Sequence, residues 1–498
     1  MKKIKILLIN PVIKEEDKPR HFPCGIGLLA AVVKKKNFHI QVFDANAWRP
    51  NDEQLMNVFK ADSWDVIAIG GLVTTYGYIK KCIQFASEFS PLSKIIAGGG
   101  FISAIPSDIM DLLSEIDIGI IGEGVVSFPE VLESIAGGEN DFSDVPGIIW
   151  RDKNRQVRIN QERPLLENLD FLPFPAYELF PLEIYFKNSS ILMSEEAMQA
   201  KRRIPMLASF GCPFKCKFCF HLGMGGEIEI NDNHVGVNFK KKPVIRNFSP
   251  EYLIEHIKFA RKKYGIDFIS FFDENFVFLD KLTGGKWTDK FFELWDKQGF
   301  GPDCVKKNVR HTNNNCKGIH WGATAHATLV SPGLLKKMRM RGCVYLDYGL
   351  ESFDDRILRS IGKGANAKAN EQAIKWSIEA GIRPIPNQII GFPDEDFSSI
   401  KANVLAWQRL GIKSSPFFAT PYPGSEWFHE YKDKILAQHN HKLEDFLLSL
   451  GEATRISAVI SRNFNAVELL GLRDLMVNHD LKRIEEYEKT RGQNIFKC

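Results

Sequence analysis

Runs of aliphatic residues recur along this chain at intervals filled by amphipathic stretches, and that alternation leaves few folds open to it. Residues 4–9, 40–43, 66–69, 95–97 and 118–121 are almost wholly apolar, and helical periodicity fills gaps such as 27–36 and 79–89. A strand that is apolar on both faces must be covered on both, which is the property of a parallel strand between layers of helices. Five such units predict a doubly wound, Rossmann-like α/β domain over residues 1–150. The rhythm resumes at 204–210, 268–272, 319–325, 344–349, 384–390 and 415–419, with helices such as 250–264 and 399–410. Six strand–helix units over 191–430 predict a (β/α)6 partial TIM barrel. Between the two, residues 151–190 carry Pro164, Pro173, Pro175 and Pro181 and read as a semi-rigid linker, and residues 431–498 read as a small helical C-terminal region.

A chain of 498 residues exceeds one ordinary core, in keeping with two large units. Its net charge of +4 is slight, and the one dense basic run, Lys240-Lys241-Lys242, lacks the spread of a nucleic-acid footprint; it reads as a solvated loop. No stretch approaches eighteen uninterrupted apolar residues, and Met1-Lys2-Lys3-Ile4-Lys5 leads into a strand rather than a signal peptide. A soluble, cytoplasmic protein is expected, with no transmembrane segment. Its nine cysteines then read as thiols or metal ligands rather than as a disulfide framework.

Three of those cysteines stand together in Gly211-Cys212-Pro213-Phe214-Lys215-Cys216-Lys217-Phe218-Cys219-Phe220, a loop that follows an apolar strand. Three thiolates at this spacing can hold three irons of a four-iron cluster, and the fourth iron then keeps an open coordination site where a substrate can react. The competing reading is a structural zinc site. That site wants four closed ligands, and His221 is too near Cys219 in sequence to complete a comfortable tetrahedron. Between 280 and 318 the chain is longer than the strand–helix rhythm needs and contains Cys304, His311 and Cys316; polar surroundings such as Asn313-Asn314-Asn315 make it an exposed insertion rather than a second metal site.

The C-x3-C-x2-C loop with an aromatic before its third cysteine resembles the radical S-adenosylmethionine (radical SAM) superfamily, and further pieces along residues 200–430 fall in that family's order. The resemblance implies that Cys212, Cys216 and Cys219 carry a 4Fe-4S cluster, that S-adenosylmethionine chelates its free iron, and that one electron cleaves it to methionine and a 5'-deoxyadenosyl radical. It also implies that Phe218 packs near the adenine. Phe271-Phe272-Asp273-Glu274-Asn275 stands where the family has a Gly-Gly-Glu-like turn, so Asp273 or Glu274 would hold the ammonium of S-adenosylmethionine. Gly349-Leu350-Glu351-Ser352 is similar to the segment that reaches the ribose and the methionine end, which brings in Glu351 and Ser352. Residues 387–395 are similar to the fifth-strand segment bordering adenine, which brings in Gln388 and Ile390, and Pro421-Tyr422-Pro423-Gly424-Ser425 to a turn of the cobalamin-linked subfamily. His326 departs from the pattern, because many relatives have arginine there; it either joins the site with a pH-dependent charge or is a packed structural histidine.

In an open α/β sheet the ligand lies beyond the carboxyl ends of the strands, and there this sequence gathers Gly70-Gly71, Gly98-Gly99-Gly100 and Gly122-Glu123-Gly124. Taken singly these are turn glycines. Placed before a radical SAM barrel, the first domain resembles the large cobalamin-dependent group that includes carbon methylases and the anaerobic ring-forming enzyme of bacteriochlorophyll synthesis. The residues that carry this likeness, and that would hold cobalamin, are Gly25 within Pro23-Cys24-Gly25-Ile26-Gly27-Leu28, Thr74, Thr75, Gly98, Gly99, Gly100, Gly122, Glu123 and Gly124. The Asp-x-His-x-x-Gly loop of other cobalamin domains is absent, since Asp17-Lys18-Pro19-Arg20-His21 has the residues at the wrong spacing; cobalamin here would lack a histidine below its cobalt.

The first expectation is therefore an oxygen-sensitive, cobalamin-dependent radical SAM methyltransferase acting on an unactivated carbon. One S-adenosylmethionine would methylate cobalt and a second would furnish the radical. A cyclase or rearrangement enzyme of the same build is the alternative. A methylthiolating enzyme is disfavoured because Cys24 and Cys82 make no second triplet, and a non-catalytic cobalamin or redox sensor is more remote. The expected partners are a small-molecule, lipid or peptide substrate and an external electron donor of flavodoxin or ferredoxin type, with no nucleic acid; which substrate is not written in any motif.

Overall fold

A computed structural model of the protein describes residues 3–189, 191, 193–220, 226–303 and 318–491. Strands β1 (Lys5–Asn10), β2 (His39–Asp44), β3 (Val66–Gly70), β4 (Lys94–Gly98) and β5 (Ile118–Ile120) are the five parallel strands expected, in the order β2-β1-β3-β4-β5. Alternate residues of one strand enter different cores. Ile6 and Leu8 pack with Val66, Ala68 and Ile96, whereas Leu7 and Ile9 pack with Ile67, Ile69 and Ile95 on the opposite face. This double burial is why these strands read as continuous apolar runs. The strand order reverses direction between β1 and β3, which places the ligand crevice of the sheet at their carboxyl ends.

Two strands that the apolar runs do not show extend the sheet. β6 (Ile148–Arg151) and β7 (Val157–Ile159) add antiparallel beyond β5, joined by a polar turn in which Asp152 accepts hydrogen bonds from the backbone N–H groups of Asn154 and Gln156. Arg155, at a φ of 62°, completes that turn. β7 is an edge strand with little burial, so no alternation marks it. The segment beyond it is tied down at several points. Tyr185 donates to Asp44 at 2.8 Å, Ala176 N–H donates to the Gly27 carbonyl at 2.9 Å, and Phe174 stacks on His256 at 4.6 Å.

The second sheet has six parallel strands in the order β17-β16-β15-β14-β13-β8. They are β8 (Arg203–Met206), β13 (Phe268–Phe271), β14 (His320–Ala325), β15 (Cys343–Glu351), β16 (Arg383–Ile390) and β17 (Phe417–Phe418), with β9 (Ser209–Phe210) to β12 (Arg246–Asn247) lying between the first two in sequence. Each strand neighbours the next in sequence, the arrangement of a partial barrel. Both free edges are covered. Arg203 and Cys24 bind the segment at residues 20–24 to β8, at 3.2 Å to the Arg20 carbonyl and 3.4 Å to the Pro205 carbonyl, and Phe418 N–H donates to the Ala453 carbonyl at 2.6 Å.

A hairpin outside the expected strands, β10 (Ile228–Asn231) with β11 (His234–Val237), packs against Gly100–Ala104 of the first unit. The C-terminal helices join both units: Leu469, Leu472 and Met476 complete the core that holds Ile400 and Val404, while Phe428, Phe446 and Leu447 enter the core on the outer face of the first sheet.

His256 is buried at 5% exposure with its Nε2 2.8 Å from the Tyr177 hydroxyl, and burial pulls its pKa down to about 3. The unfolded chain, with histidine near 6.5, therefore takes the proton first. This group's contribution is fully present above about pH 6.5 and is lost as pH falls towards 3. Between pH 7 and pH 4.5 it removes roughly 2–3 kcal/mol of stability. Urea unfolding of wild type and His256→Gln at the two pH values should show a smaller pH difference in the variant; equal differences would dismiss this account.

Candidate active site

The cysteine loop leaves β9 at Gly211, whose φ of 94° turns the chain. It is gripped from three sides. Lys217 N–H donates to the Ile361 carbonyl at 3.0 Å, Trp427 N–H donates to the Lys217 carbonyl at 3.1 Å, and Phe214 stacks on His326 with ring centres 3.7 Å apart. Gly362 and Gly364 lie so close beneath it that a Cβ would stand 2.9 Å from the Lys215 carbonyl and 3.0 Å from the Phe214 ring, at φ values of 68° and 70°. Glycine is required there for space and for backbone alike. Phe218 packs on Trp427 at 5.8 Å and Phe220 on Tyr422 at 5.3 Å, which brings the turn at 421–425 against the loop.

Cys212, Cys216 and Cys219 are free thiols. Burial pushes Cys212 up to about 12 and raises the other two, so these thiols ionise only where a cation takes up their charge. Among the described residues no three His, Cys, Asp or Glu side chains are gathered closely enough to hold a single metal ion. A cluster makes the lesser demand that each sulfur reach its own iron, and the donor set of three cysteines fits it. His221, Cys304, His311 and Cys316 lie outside the described residues.

Next to the loop lies an ion pair that no motif announces. Lys363 Nζ is 2.9 Å from Glu351 Oε1, with side-chain exposures of 10% and 7%. Burial alone would lower the lysine; Glu351 and the thiolates of Cys216 and Cys219 outweigh it and hold the ammonium above its ordinary range. The ammonium also stands 5.9 Å from the centre of the Phe218 ring. Glu351 sits at a φ of 60°, where β15 has an irregular register against β16 between Gly349 and Glu351. A Cβ on Gly349 would come within 2.5 Å of Glu351 Oε1 and 2.8 Å of Lys363 Nζ, so this glycine makes room for the pair.

The other expected residues divide. Asp273 is buried, accepts from Ala208 N–H at 3.0 Å and from the Ser209 hydroxyl, and so is spent on the β8–β9 junction; burial pushes it up to about 6. Glu274 is exposed and makes no hydrogen bond among the described residues. Yet surrounding protein, then Glu227 and Asp273, push its carboxyl up to about 7. Of the two acids it is the one open to a ligand. His326 has both ring nitrogens occupied, Nε2 donating to the Lys363 carbonyl at 2.9 Å and Nδ1 at 2.8 Å from the Thr328 hydroxyl, and its pKa is pulled to about 4, first by burial and then by Lys363. It is the packed histidine of the two readings, and it positions Lys363 and Phe214. Ser352 is turned to Asn403 Oδ1 at 3.2 Å, and the Ile390 carbonyl is bound by Ala419 N–H at 2.8 Å. Gln388 is fully buried, and neither amide atom has a partner.

On the first sheet, Gly99 at a φ of 86° serves packing, since a Cβ would meet the Gly71 carbonyl at 2.7 Å. Thr75 caps its own turn through the Leu72 carbonyl at 2.7 Å, with Thr74 beside it; Gly98 ends β4, and Gly100 opens the following helix. Gly25 and Gly122 differ: nothing lies within 4 Å of a Cβ on either, so both border open space, and Gly124 starts the helix beyond. The Glu123 carboxylate accepts both Nη groups of Arg246, with side-chain exposures of 9% and 7%. A small pocket opens here, lined by Ile121, Gly122, Glu123, Arg163 and Ile228 among others. The open space at Gly25 and Gly122 leaves room for the backbone to be approached closely by a ligand. At the end of β13, His21 rests on Phe272 at 4.9 Å, and Gly424 faces Ala104, where a Cβ would be 3.1 Å from the alanine methyl. Phe272, 42% exposed, faces open space at the end of β13.

The model of the radical SAM superfamily matches residues 206–404, and that of the B12 binding domain matches residues 11–132. The chain belongs to the radical SAM superfamily, in its cobalamin-binding branch. Its cofactors are a 4Fe-4S cluster, S-adenosylmethionine and cobalamin. This radical SAM enzyme is 25% identical to an uncharacterized methyltransferase of Pyrococcus horikoshii, over 88% of its own length and 86% of the relative's. It is 24% identical to the cytidylyl-2-hydroxyethylphosphonate methyltransferase of Streptomyces wedmorensis, over 93% and 90%. The radical SAM methyltransferase TsrM of Kitasatospora setae, solved with cobalamin and a [4Fe-4S] cluster, shares the fold at a TM-score of 0.63 and 15% identity, over 88% of this chain and 79% of that one.

Removing one partner of the buried Lys363–Glu351 pair strands the other charge. Lys363→Met should cost about 3–5 kcal/mol in chemical unfolding, and adding Glu351→Leu should restore most of it. Equal losses in the single and double variants would show that the pair is not coupled.

Proposed function

We propose that this radical SAM enzyme is a cobalamin-dependent methyltransferase that places a methyl group on an unactivated carbon of a small-molecule, lipid or peptide substrate. The observation that supports the reading is that the turn at 421–425 lies against both Phe220 of the cysteine loop and Ala104 of the helix that Gly100 opens, so the two glycine- and cysteine-rich segments adjoin the same turn. When bound, the cluster and S-adenosylmethionine supply a hydrogen-abstracting radical and cobalamin carries the methyl group. In this reading residues 1–150 hold cobalamin, 151–190 link, 191–430 form the catalytic barrel and 431–498 cover it.

The chain's own residues hold and shield. Glu274, the open carboxylate of the mouth, takes the ammonium of S-adenosylmethionine through charge-assisted hydrogen bonds; an ammonium brought to it returns it to the ionised form. Lys363 places a permanent cation beside Cys216 and Cys219 and offsets the negative charge gathered there. Phe218, Phe220 and Phe272 present carbon surface to the lumen, which keeps water from a reactive intermediate. His326, neutral over the working range, fixes the Phe214 side of the loop. Free cysteines throughout the described residues favour a reducing, cytoplasmic setting.

Reconstituted enzyme, given S-adenosylmethionine, cobalamin and a strong chemical reductant without oxygen, should form both 5'-deoxyadenosine and S-adenosylhomocysteine. Cys216→Ala should lose the 5'-deoxyadenosine. Were 5'-deoxyadenosine alone to form, the radical chemistry would stand and methyl transfer would fall in favour of cyclisation or rearrangement.

A further inference from the structure

We infer that the outer face of the cysteine loop, carrying Lys215, Lys240, Lys242 and Arg359, is the docking surface for a small acidic one-electron carrier protein. The inference rests on the radical SAM reading, which requires an electron from outside the chain.

Lys215, the residue before Cys216, is exposed, so the cysteine loop reaches the surface one residue from a cysteine. Electron transfer slows steeply with distance, which makes this the side from which a donor is effective. Lys215 also joins two basic segments that lie far apart in sequence. Its ammonium donates to the carbonyls of Phe239 and Lys241, and its own carbonyl lies against Gly362, whose N–H is held by the Arg359 carbonyl at 3.1 Å. The run Lys240-Lys241-Lys242, which in sequence reads as a solvated loop, is thereby laid beside the cysteines.

The charges on this face are not internally balanced. Lys241 is paired with Glu162, and Lys217 stands 3.5 Å from Glu426 and 3.9 Å from Glu430. Lys215, Lys240, Lys242 and Arg359 have no carboxylate partner among the described residues, and Lys240, Lys242 and Arg359 are exposed like Lys215. Even with the second carboxylate at Lys217 counted, the named groups leave this face positive. Val244, 45% exposed, gives an apolar spot beside the lysine run. Such a face favours an acidic partner through long-range steering more than through tight contact, as a carrier that must leave after each turnover requires. The step moves one electron from the reduced carrier to the oxidised cluster; no atom or proton is exchanged.

Binding of oxidised flavodoxin and of an acidic two-cluster ferredoxin to reconstituted holoenzyme, followed by fluorescence anisotropy at low and high salt, tests this directly. The double variant Lys240→Glu with Lys242→Glu lies outside the cysteine loop. It should weaken binding of the better carrier by about tenfold or more at low salt and remove most of the salt dependence, and Arg359→Glu should act in the same direction. With the reduced carrier the rate of 5'-deoxyadenosine formation should fall in parallel, while with titanium(III) citrate it should equal wild type. Unchanged carrier binding, an equal loss with titanium(III) citrate, or tighter binding of single-stranded RNA than of either carrier would overturn the assignment. Failure of wild type to cleave S-adenosylmethionine even with titanium(III) citrate would instead overturn the radical SAM reading beneath it.

Discussion

The pair between Glu123 and Arg246 sets the spacing on which the site depends. Glu123 belongs to the glycine rim of the first sheet, and Arg246 to β12, the short strand that pairs with β9 just before the cysteines. Nearly removed from water, the two charges attract strongly only in a narrow geometry, and the guanidinium meets the carboxylate with two nitrogens. The Leu166 carbonyl and N–H join the same knot, at 2.8 Å to Arg246 and 3.3 Å to Glu123, so the linker is fixed with it. The glycine segment of the first sheet and the strand pair leading into the cysteine loop are thus tied together by an ionic junction, beside the contacts of residues 20–24 with β8 and of the hairpin with Gly100–Ala104. This explains why an acidic residue stands between two glycines that themselves leave space for a ligand.

A second junction, Lys363 with Glu351, performs the same service inside the barrel. Here the backbone yields: Glu351 takes a left-handed conformation and Gly349 gives up its side chain so that the pair can lie across β15. Strain of this kind persists where surrounding structure over-determines it. The carbonyl of Lys363 is held by His326, the ring of His326 is held by Phe214, and Phe214 belongs to the cysteine loop. Charge, backbone and aromatic stacking therefore form one continuous support beneath the cluster position.

Much of the fold was legible because its strands are buried on both faces, as with Ile6 to Ile9, whose alternate side chains enter opposite cores. β7, with exposed Arg158 and Ile159, carries no such mark, while β10 with β11 carries a weak one, a short alternation about Asn231-Asp232-Asn233. The cysteines were legible because their spacing is itself the chemistry. Lys363 was not, since its meaning comes from a carboxylate twelve residues away across a bulge. Asp273 and Glu274 are adjacent and chemically alike, and only the fold separates a carboxylate spent on the β8–β9 junction from an exposed one. Sequence proximity also hid the place of the Lys240 run, which neighbours the cysteines through the return of the hairpin.

The two sides of the cysteine loop answer different physical demands. Its inner side is bound by the Ile361 carbonyl, the glycines at 362 and 364, the His326 ring and the helix at Trp427, so little of it is free to move when charge arrives. A centre that gains and loses an electron reacts fastest when its surroundings need least rearrangement, and fixed dipoles with a fixed ammonium meet that condition better than mobile water. On its other side Lys215 is exposed and its ammonium ties the 239–241 segment to the loop, so the unpaired cations gather on the face that solvent and a partner can reach, while the rigid contacts lie on the opposite one.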